Sequence, residues 1–197
     1  MKRIFIYISG IAITYLGTSI VVKSALGAGF WSALFVGLHN QTGLPSGLWF
    51  GLAQCIIVFI NAFLNKSSIE YTAIIPILIE SAFFTLWLDY ALRHVHLESA
   101  PIAVKGTAFI VGLIIATLGV ALYIQTKLTR SPVDELFLAV SARFQWRIST
   151  SQISVAVIVT LLACWAGGPV GLGTLLAMLL MGPFVEFWND RFKKIAI

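Results

Sequence analysis

The chain has 197 residues, of which 59% are hydrophobic and 11% charged, with a mean hydropathy of +0.95. So few charges cannot cover a water-soluble globule, and the composition belongs to a membrane protein. The net charge of +5 does not point to nucleic acid, because the basic residues are dispersed near the ends of apolar runs, where lipid headgroups and the insertion machinery act on them.

Taken in chain order, Met1-Lys2-Arg3 precedes a first apolar run over residues 4–23. With Ala25 and Gly27 behind it, this stretch has the outline of a signal peptide, but it has a counterpart later in the chain and is read as a retained span. A crossing needs about 20 apolar residues for roughly 30 Å of hydrocarbon. Residues 29–40 would form a helix only about 18 Å long, too short to cross. Spans follow at 46–64 and 70–90, then a loop holding His94, His96 and Glu98. His-x-His in a loop is weak evidence for a metal, and none is expected. The later part gives a span at 106–126, a short segment at 132–144, and spans at 149–166 and 171–188. Cys55 and Cys164 lie inside apolar runs and are expected to be small buried hydrophobes. Trp31, Trp49, Trp87, Trp146 and Trp188 fall near span ends, where an aromatic belt belongs.

The charges orient this arrangement. With both termini cytoplasmic, Lys2, Arg3, Lys66, Lys127, Arg130, Arg143, Arg147, Arg191, Lys193 and Lys194 lie inside and Lys23, Arg93 and Lys105 outside, ten against three.

A constant shift of 102 residues superposes the two parts, repeat 1 over 4–92 and repeat 2 over 106–194. Ile8, Leu16, Leu26 and Phe35 fall on Ile110, Leu118, Leu128 and Phe137. Gly10 and Gly17 lie two helical turns apart, and Gly112 and Gly119 repeat the spacing. Small residues on one face let helix backbones approach closely in lipid, so these four glycines are expected to pack the repeat interface. Three spans per repeat is odd, so the second repeat must be inverted relative to the first. The expected fold is therefore all-α and integral to the membrane, with six transmembrane helices in a 3+3 inverted repeat plus two short interfacial or re-entrant helices. The whole chain, 1–197, forms a single membrane domain.

The second short helix has a clear start. Ser131 is placed to cap it, Pro132 suits the first helical position, and Asp134 sits where a capping-box acid reaches back. The run from Leu118 to Asp134, ending Thr-Arg-Ser-Pro-Val-Asp, and the later Gly167-Gly-Pro-Val-Gly-Leu-Gly-Thr174 resemble the YczE/YitT-type bacterial membrane proteins. Those carry a Gly-x-Ser-Pro-x-Asp-like helix start and a later Gly-x-Gly-Thr. In the first repeat Gly29-Phe30-Trp31-Ser32 lacks both the proline and the acid. The resemblance implies a multi-pass plasma-membrane protein and names no substrate.

Glu80 lies near the middle of the third span, where a charge costs about 2.5 to 3.5 kcal/mol on insertion scales. It is either a proton or cation site or a carboxyl bonded to a neighbouring helix or to a lysine such as Lys127. Glu186 falls one turn from the repeat-equivalent position, and Asp134 and Gln125 complete the set of candidate path residues. Gln54, Gln152 and Asn61 can line the same path or serve as interhelical glue. The glycine-rich turn is not followed by a P-loop lysine, so phosphate binding is not expected. No motif of hydrolytic or nucleophilic catalysis is present, so no enzyme, cofactor or catalytic residue is expected.

Two functions fit these features. The first is a small-solute permease or channel without its own ATPase. The second is a membrane-embedded binding or accessory subunit, acting as a homo-oligomer or with a partner subunit. In both, the lipid bilayer and an unknown small solute or ion are the expected partners, with no nucleic acid.

Overall fold

Every regular element in the computed structural model is helical among the residues it describes, 2–129 and 131–193. Met1, Arg130 and Lys194, the last two assigned to the cytoplasmic charges, lie outside those residues. The helices are α1 (Lys2–Lys23), α2 (Phe30–Thr42), α3 (Ser46–Asn65), α4 (Ile74–Thr85), α5 (Ile102–Gln125), α6 (Pro132–Phe144), α7 (Ile148–Trp165) and α8 (Leu172–Lys193). A 3-10 turn, Tyr71–Ala73, leads into α4 and a π-helical stretch, Leu86–Ala91, continues it.

Among the described residues five rods are long and apolar enough to cross a membrane: Lys2–Lys23, Ser46–Asn65, Tyr71–Ala91, Ile102–Gln125 and Leu172–Phe192. Helix α7, apolar over Thr150–Trp165, is shorter. Large side chains such as Phe5, Phe59, Phe63, Leu161 and Leu179 stand on the outer surface, as they must in a protein whose solvent there is lipid.

The closest helix pair is α1 with α5. A Cβ added to Gly10 would come within 2.8 Å of the Tyr123 amide nitrogen, and one on Gly112 within 2.9 Å of the Gly17 carbonyl. Gly17 and Gly119 likewise lie against the backbone at Ala116 and Thr14. Only residues without a side chain permit this approach, which replaces the hydrophobic drive missing between helices in lipid.

Several other packing partners fall into matched pairs, although α3 also packs extensively on α4 where α7 and α8 make no comparable contact. Helix α1 packs on α4 and α5 on α8; α2 packs on α3 and α6 on α7; α2 packs on α7 and α3 on α6. Local hydrogen bonds recur at the same interval. Ser24 Oγ donates to the Val21 carbonyl (2.6 Å) and accepts from the Leu26 amide (3.5 Å). Thr126 Oγ1 does the same with Tyr123 (2.6 Å) and Leu128 (3.4 Å). Ala25 and Lys127, the next residues, both turn left-handed, at φ 58° and 52°. At the far ends of α2 and α6, His39 Nδ1 bonds the Leu44 carbonyl and Ser141 Oγ the Trp146 carbonyl, each at 2.7 Å.

The short helices begin inside the bundle. Ser131, just ahead of α6, hydrogen-bonds to the middle of α3 and of the α4 rod. Phe30 and Trp31 in the first turn of α2 pack around buried Ile57 and Leu136. Two expectations are corrected here. Trp31 is no belt residue: it stacks on Phe35 at 6.0 Å inside the bundle, drawn there because α2 dips inward. Cys55 and Cys164 are exposed, since each lies on the outward face of its helix.

Candidate functional site

Glu80 is 3% exposed, and three other elements supply groups to one of its oxygens. Gln54 Nε2 on α3 donates to Oε2 at 2.8 Å, and Tyr15 Oη on α1 donates to the same atom at 3.2 Å. Ser131 Oγ lies 3.2 Å from that oxygen and 2.9 Å from Gln54 Oε1. A hydroxyl has one proton to give, so Ser131 donates either to the amide or to the carboxyl. When it donates to Gln54, its lone pair is free to take a proton held on Glu80. The ring of Ser131, Gln54 and Glu80 is thus satisfied with or without a proton on the acid, which suits an exchangeable site.

The sequence reason for this convergence is spacing. Gln54, Ile57 and Asn61 fall on one buried face of α3, so the two amides stand two turns apart toward α6. Ser131 precedes Pro132, whose fixed φ starts α6 at that depth. The expectation that Ser131 caps α6 through its side chain is corrected: Ser131 occupies the cap position, but its hydroxyl makes no cap bond and turns to Gln54 and Glu80 instead. Pro132 does hold the first helical turn.

Asp134, three residues after Ser131 in the first turn of α6, accepts from Tyr123 Oη at 3.1 Å. Tyr7 packs edge-on against Tyr123 at 6.1 Å and donates to the Thr129 carbonyl. Tyrosines from α1 and α5 therefore attend both acids. Sequence reasoning passed over Tyr15, Tyr7 and Tyr123, because a tyrosine in a span carries no sign distinguishing a buried donor from a belt anchor.

The remaining candidates are elsewhere. Glu186 is on the exposed side of α8, and Gln125 ties α5 to α8 through Asn189. Lys127, a possible partner for Glu80, is exposed and lines a cleft of about 340 Å³ instead. That cleft lies between the last turns of α3, the 67–70 turn and the start of α6, at the Lys127 end of the bundle. Asn61 forms its inner wall, donating from Nδ2 to the Pro132 carbonyl at 2.9 Å.

At the opposite end main-chain contacts join two turns, beside a second cleft of about 610 Å³ whose lining includes Lys23, His39, Asp89, Arg93, His96 and Glu98. The Ala28 amide donates to the Pro169 carbonyl and the Gly173 amide to the Leu26 carbonyl, both at 2.8 Å. Gly168 lies against the Ala33 carbonyl, and Gln41 Nε2 reaches the Ala166 carbonyl at 2.9 Å. The glycine-rich turn of residues 167–174 is thus occupied in joining the α1–α2 turn to the α7–α8 turn. Asp89, on the π-helical stretch, accepts the Ser46 amide (2.7 Å) and hydroxyl (3.0 Å), capping α3 from its neighbour.

A family model described as "Family of unknown function (DUF6198)" matches residues 1–190. The chain is 34% identical over 182 residues to "Uncharacterized protein YyaS" of Bacillus subtilis (strain 168), covering 92% of this chain and 89% of that one. It is 24% identical over 182 residues to "Uncharacterized membrane protein YczE" of the same organism, covering 92% and 82%. An "Uncharacterized protein" of Haemophilus influenzae is 27% identical over 187 residues, covering 95% and 83%. No solved structure matches the chain.

Proposed function

The chain belongs to the DUF6198 family, and from that premise we propose that this multi-pass membrane protein is a plasma-membrane permease or channel for a small solute or ion, working without an ATPase of its own. The observation that carries the reading is Glu80, a buried carboxyl whose partners come from α1, α3 and the start of α6. A purely structural acid needs one good partner. Three partners on separate elements make the protonation or occupancy of Glu80 sensitive to how those elements sit, which is the property a coupling site requires.

The architecture supports the same reading. On this reading α7 is counted as a sixth span, and three matched packing pairs and the recurring hydrogen bonds at residues 24 and 126, and at 39 and 141, support an inverted 3+3 repeat. In such repeats the ligand site lies near the midplane, where broken or short helices begin, and the reading assigns that position to Ser131, at the start of a short helix, and to Glu80, in the middle of its rod. The charge bias supports cytoplasmic termini, which makes the Lys127 end the cytoplasmic one.

The test is flux through liposomes containing only the purified protein, comparing wild type with Glu80→Gln. Solute or proton flux lost in a folded Glu80→Gln variant supports the permease. A protein that moves nothing alone and co-purifies with a partner subunit moves the reading to a binding or accessory component.

A further inference from the structure

Two buried stripes run side by side on α3 and the α4 rod. On α3 the stripe is Ser46, Phe50 and Gln54, spaced four residues apart; on the rod it is Glu80, Phe84 and Leu88 at the same spacing. Ser46 and Leu88 line the cleft of about 610 Å³, and Gln54 and Glu80 bond each other at 2.8 Å. Phe50 and Phe84, with ring centroids 5.8 Å apart, therefore fill the one helical turn, about 5 Å, that separates this cleft from the acid. Phe35 from α2 packs edge-on against Phe50 at 5.2 Å. Tyr15 from α1 packs against Phe50 at 5.5 Å and Phe84 at 5.7 Å. Each of four helices thus gives one ring to a single apolar layer.

We infer that this layer is a gate between Glu80 and the 610 Å³ cleft, and that Tyr15 is the positioning residue that ties the gate to the charge on Glu80. Tyr15 belongs to both: its ring closes the layer and its hydroxyl donates to Glu80 Oε2 at 3.2 Å. A hydrogen bond to an ionised carboxyl is about twice as strong as one to a neutral acceptor. A charged Glu80 therefore holds the Tyr15 ring in the layer, and a neutral one loosens it. An apolar constriction of this kind gates by excluding water. Toward the Lys127 end the separation is of another kind, since Ser131 bonds Glu80 and the next residue, Pro132, lines the cleft there. The rod also changes from α to π geometry at Leu86, just beyond Phe84, and such stretches gather at functional sites.

Tyr15 is the one titratable group that bonds Glu80, because the other partners, Gln54 and Ser131, are neutral. The acids on either side are engaged elsewhere: Asp134 accepts from Tyr123 Oη at 3.1 Å, and Asp89 accepts from Ser46. The inference deepens the permease reading and rests on it for whatever passes the gate; the opening itself is measured without a solute.

The experiment is thiol labelling of Ile57→Cys, a buried position on the same face of α3 as Gln54, in the full chain in vesicles on a background of Cys55→Ser and Cys164→Ser. An impermeant trimethylammonium thiosulfonate is added to one face at a time, the Asp89 face being the one from which Ser99→Cys labels. From that face Ile57→Cys should be protected, and Phe84→Ala should expose it. Tyr15→Phe keeps the ring and removes the bond, so it should speed labelling roughly tenfold or more, the effect of one lost hydrogen bond to a charged group. Glu80→Gln should speed it too, and the two together should do no more than either alone. Labelling of Ile57→Cys as fast as Ser99→Cys, or indifferent to Phe84→Ala or to Tyr15→Phe, overturns the gate. Additive effects of Tyr15→Phe and Glu80→Gln overturn its tie to the acid. If Phe84→Ala does not fold, Tyr15→Phe decides alone. Labelling that answers to Tyr15→Phe in a protein with no flux in liposomes keeps the gate and sinks the permease, whereas flux with labelling unchanged by Tyr15→Phe sinks the gate.

Discussion

Gln54 and Glu80 face each other across 2.8 Å, Nε2 to Oε2, joining the middles of two rods that both expose apolar faces to lipid. Gln54 is fully buried, so its amide has no water to fall back on. Gln54→Leu should destabilise the protein by about 1 to 3 kcal/mol, the cost of a buried polar group losing its partner. Denaturant titration in detergent reads this directly. Glu80→Gln, which keeps the shape and a hydrogen-bonding amide, should cost much less; equal losses in the two variants would contradict the geometry.

Ser131 sits at a cap position while bonding elsewhere. A cap and a site partner differ in how they couple to Glu80. Ser131→Ala and Glu80→Gln should be non-additive by at least about 0.5 kcal/mol in a double-mutant cycle. Simple additivity would return Ser131 to the helix start.

Gly17→Ala and Gly119→Ala should each destabilise by about 1 to 3 kcal/mol, because the new methyl meets main chain that cannot rotate aside. Gly106 and Gly182 have nothing within 4 Å of a built Cβ. Alanine at these two should be neutral or stabilising by up to about 1 kcal/mol. The comparison of melting temperatures separates packing from helix propensity.

Topology is tested by labelling on a background with Cys55→Ser and Cys164→Ser, needed because both native thiols are exposed. Ser99→Cys should react with an impermeant reagent in whole cells and Ser67→Cys should not; the reverse would invert the orientation. The glycine-rich turn is a poor place for a probe, since any side chain at Gly168 strikes the Ala33 carbonyl.

Asp89 reaches Ser46 twice. Asp89→Ala should cost about 0.5 to 2 kcal/mol, the range for a lost N-cap. Amide exchange in the first turn of α3 should accelerate with it.

Helix positions were legible in the sequence because hydropathy runs and the Ser131-Pro132 start are local signals. The span expected at 46–64 is the helix Ser46–Asn65, and the short segment expected at 132–144 is the helix Pro132–Phe144. Glu80 stood out for its cost at mid-span. Gln54 and Ser131 were also singled out, but not as its partners, since Tyr15, Gln54 and Ser131 are distant in sequence and meet only when α6 dips into the bundle. Asp89 was invisible for another reason: the π-helical stretch shifts its register, and nothing in the Leu86–Ala91 composition announces that. Trp31 and the cysteines were misjudged because an apolar run alone does not say which face looks inward.

The two ends of the bundle are fastened by different materials. One is held by amide-to-carbonyl bonds at Ala28 and Gly173, and a Cβ at position 173 would come within 2.7 Å of the Gly27 carbonyl oxygen, so that junction needs the missing side chain as well as the backbone path. The other presents side chains, Asn61 and Glu135 among them, around an open cleft. Selection can therefore retune the cleft one codon at a time, while the fastened end tolerates sequence drift only so far as its backbone path is kept. Substitution should therefore be tolerated far more readily among the exposed side chains lining the Lys127-end cleft than at Gly27, Gly168, Gly171 and Gly173, where a side chain meets main chain.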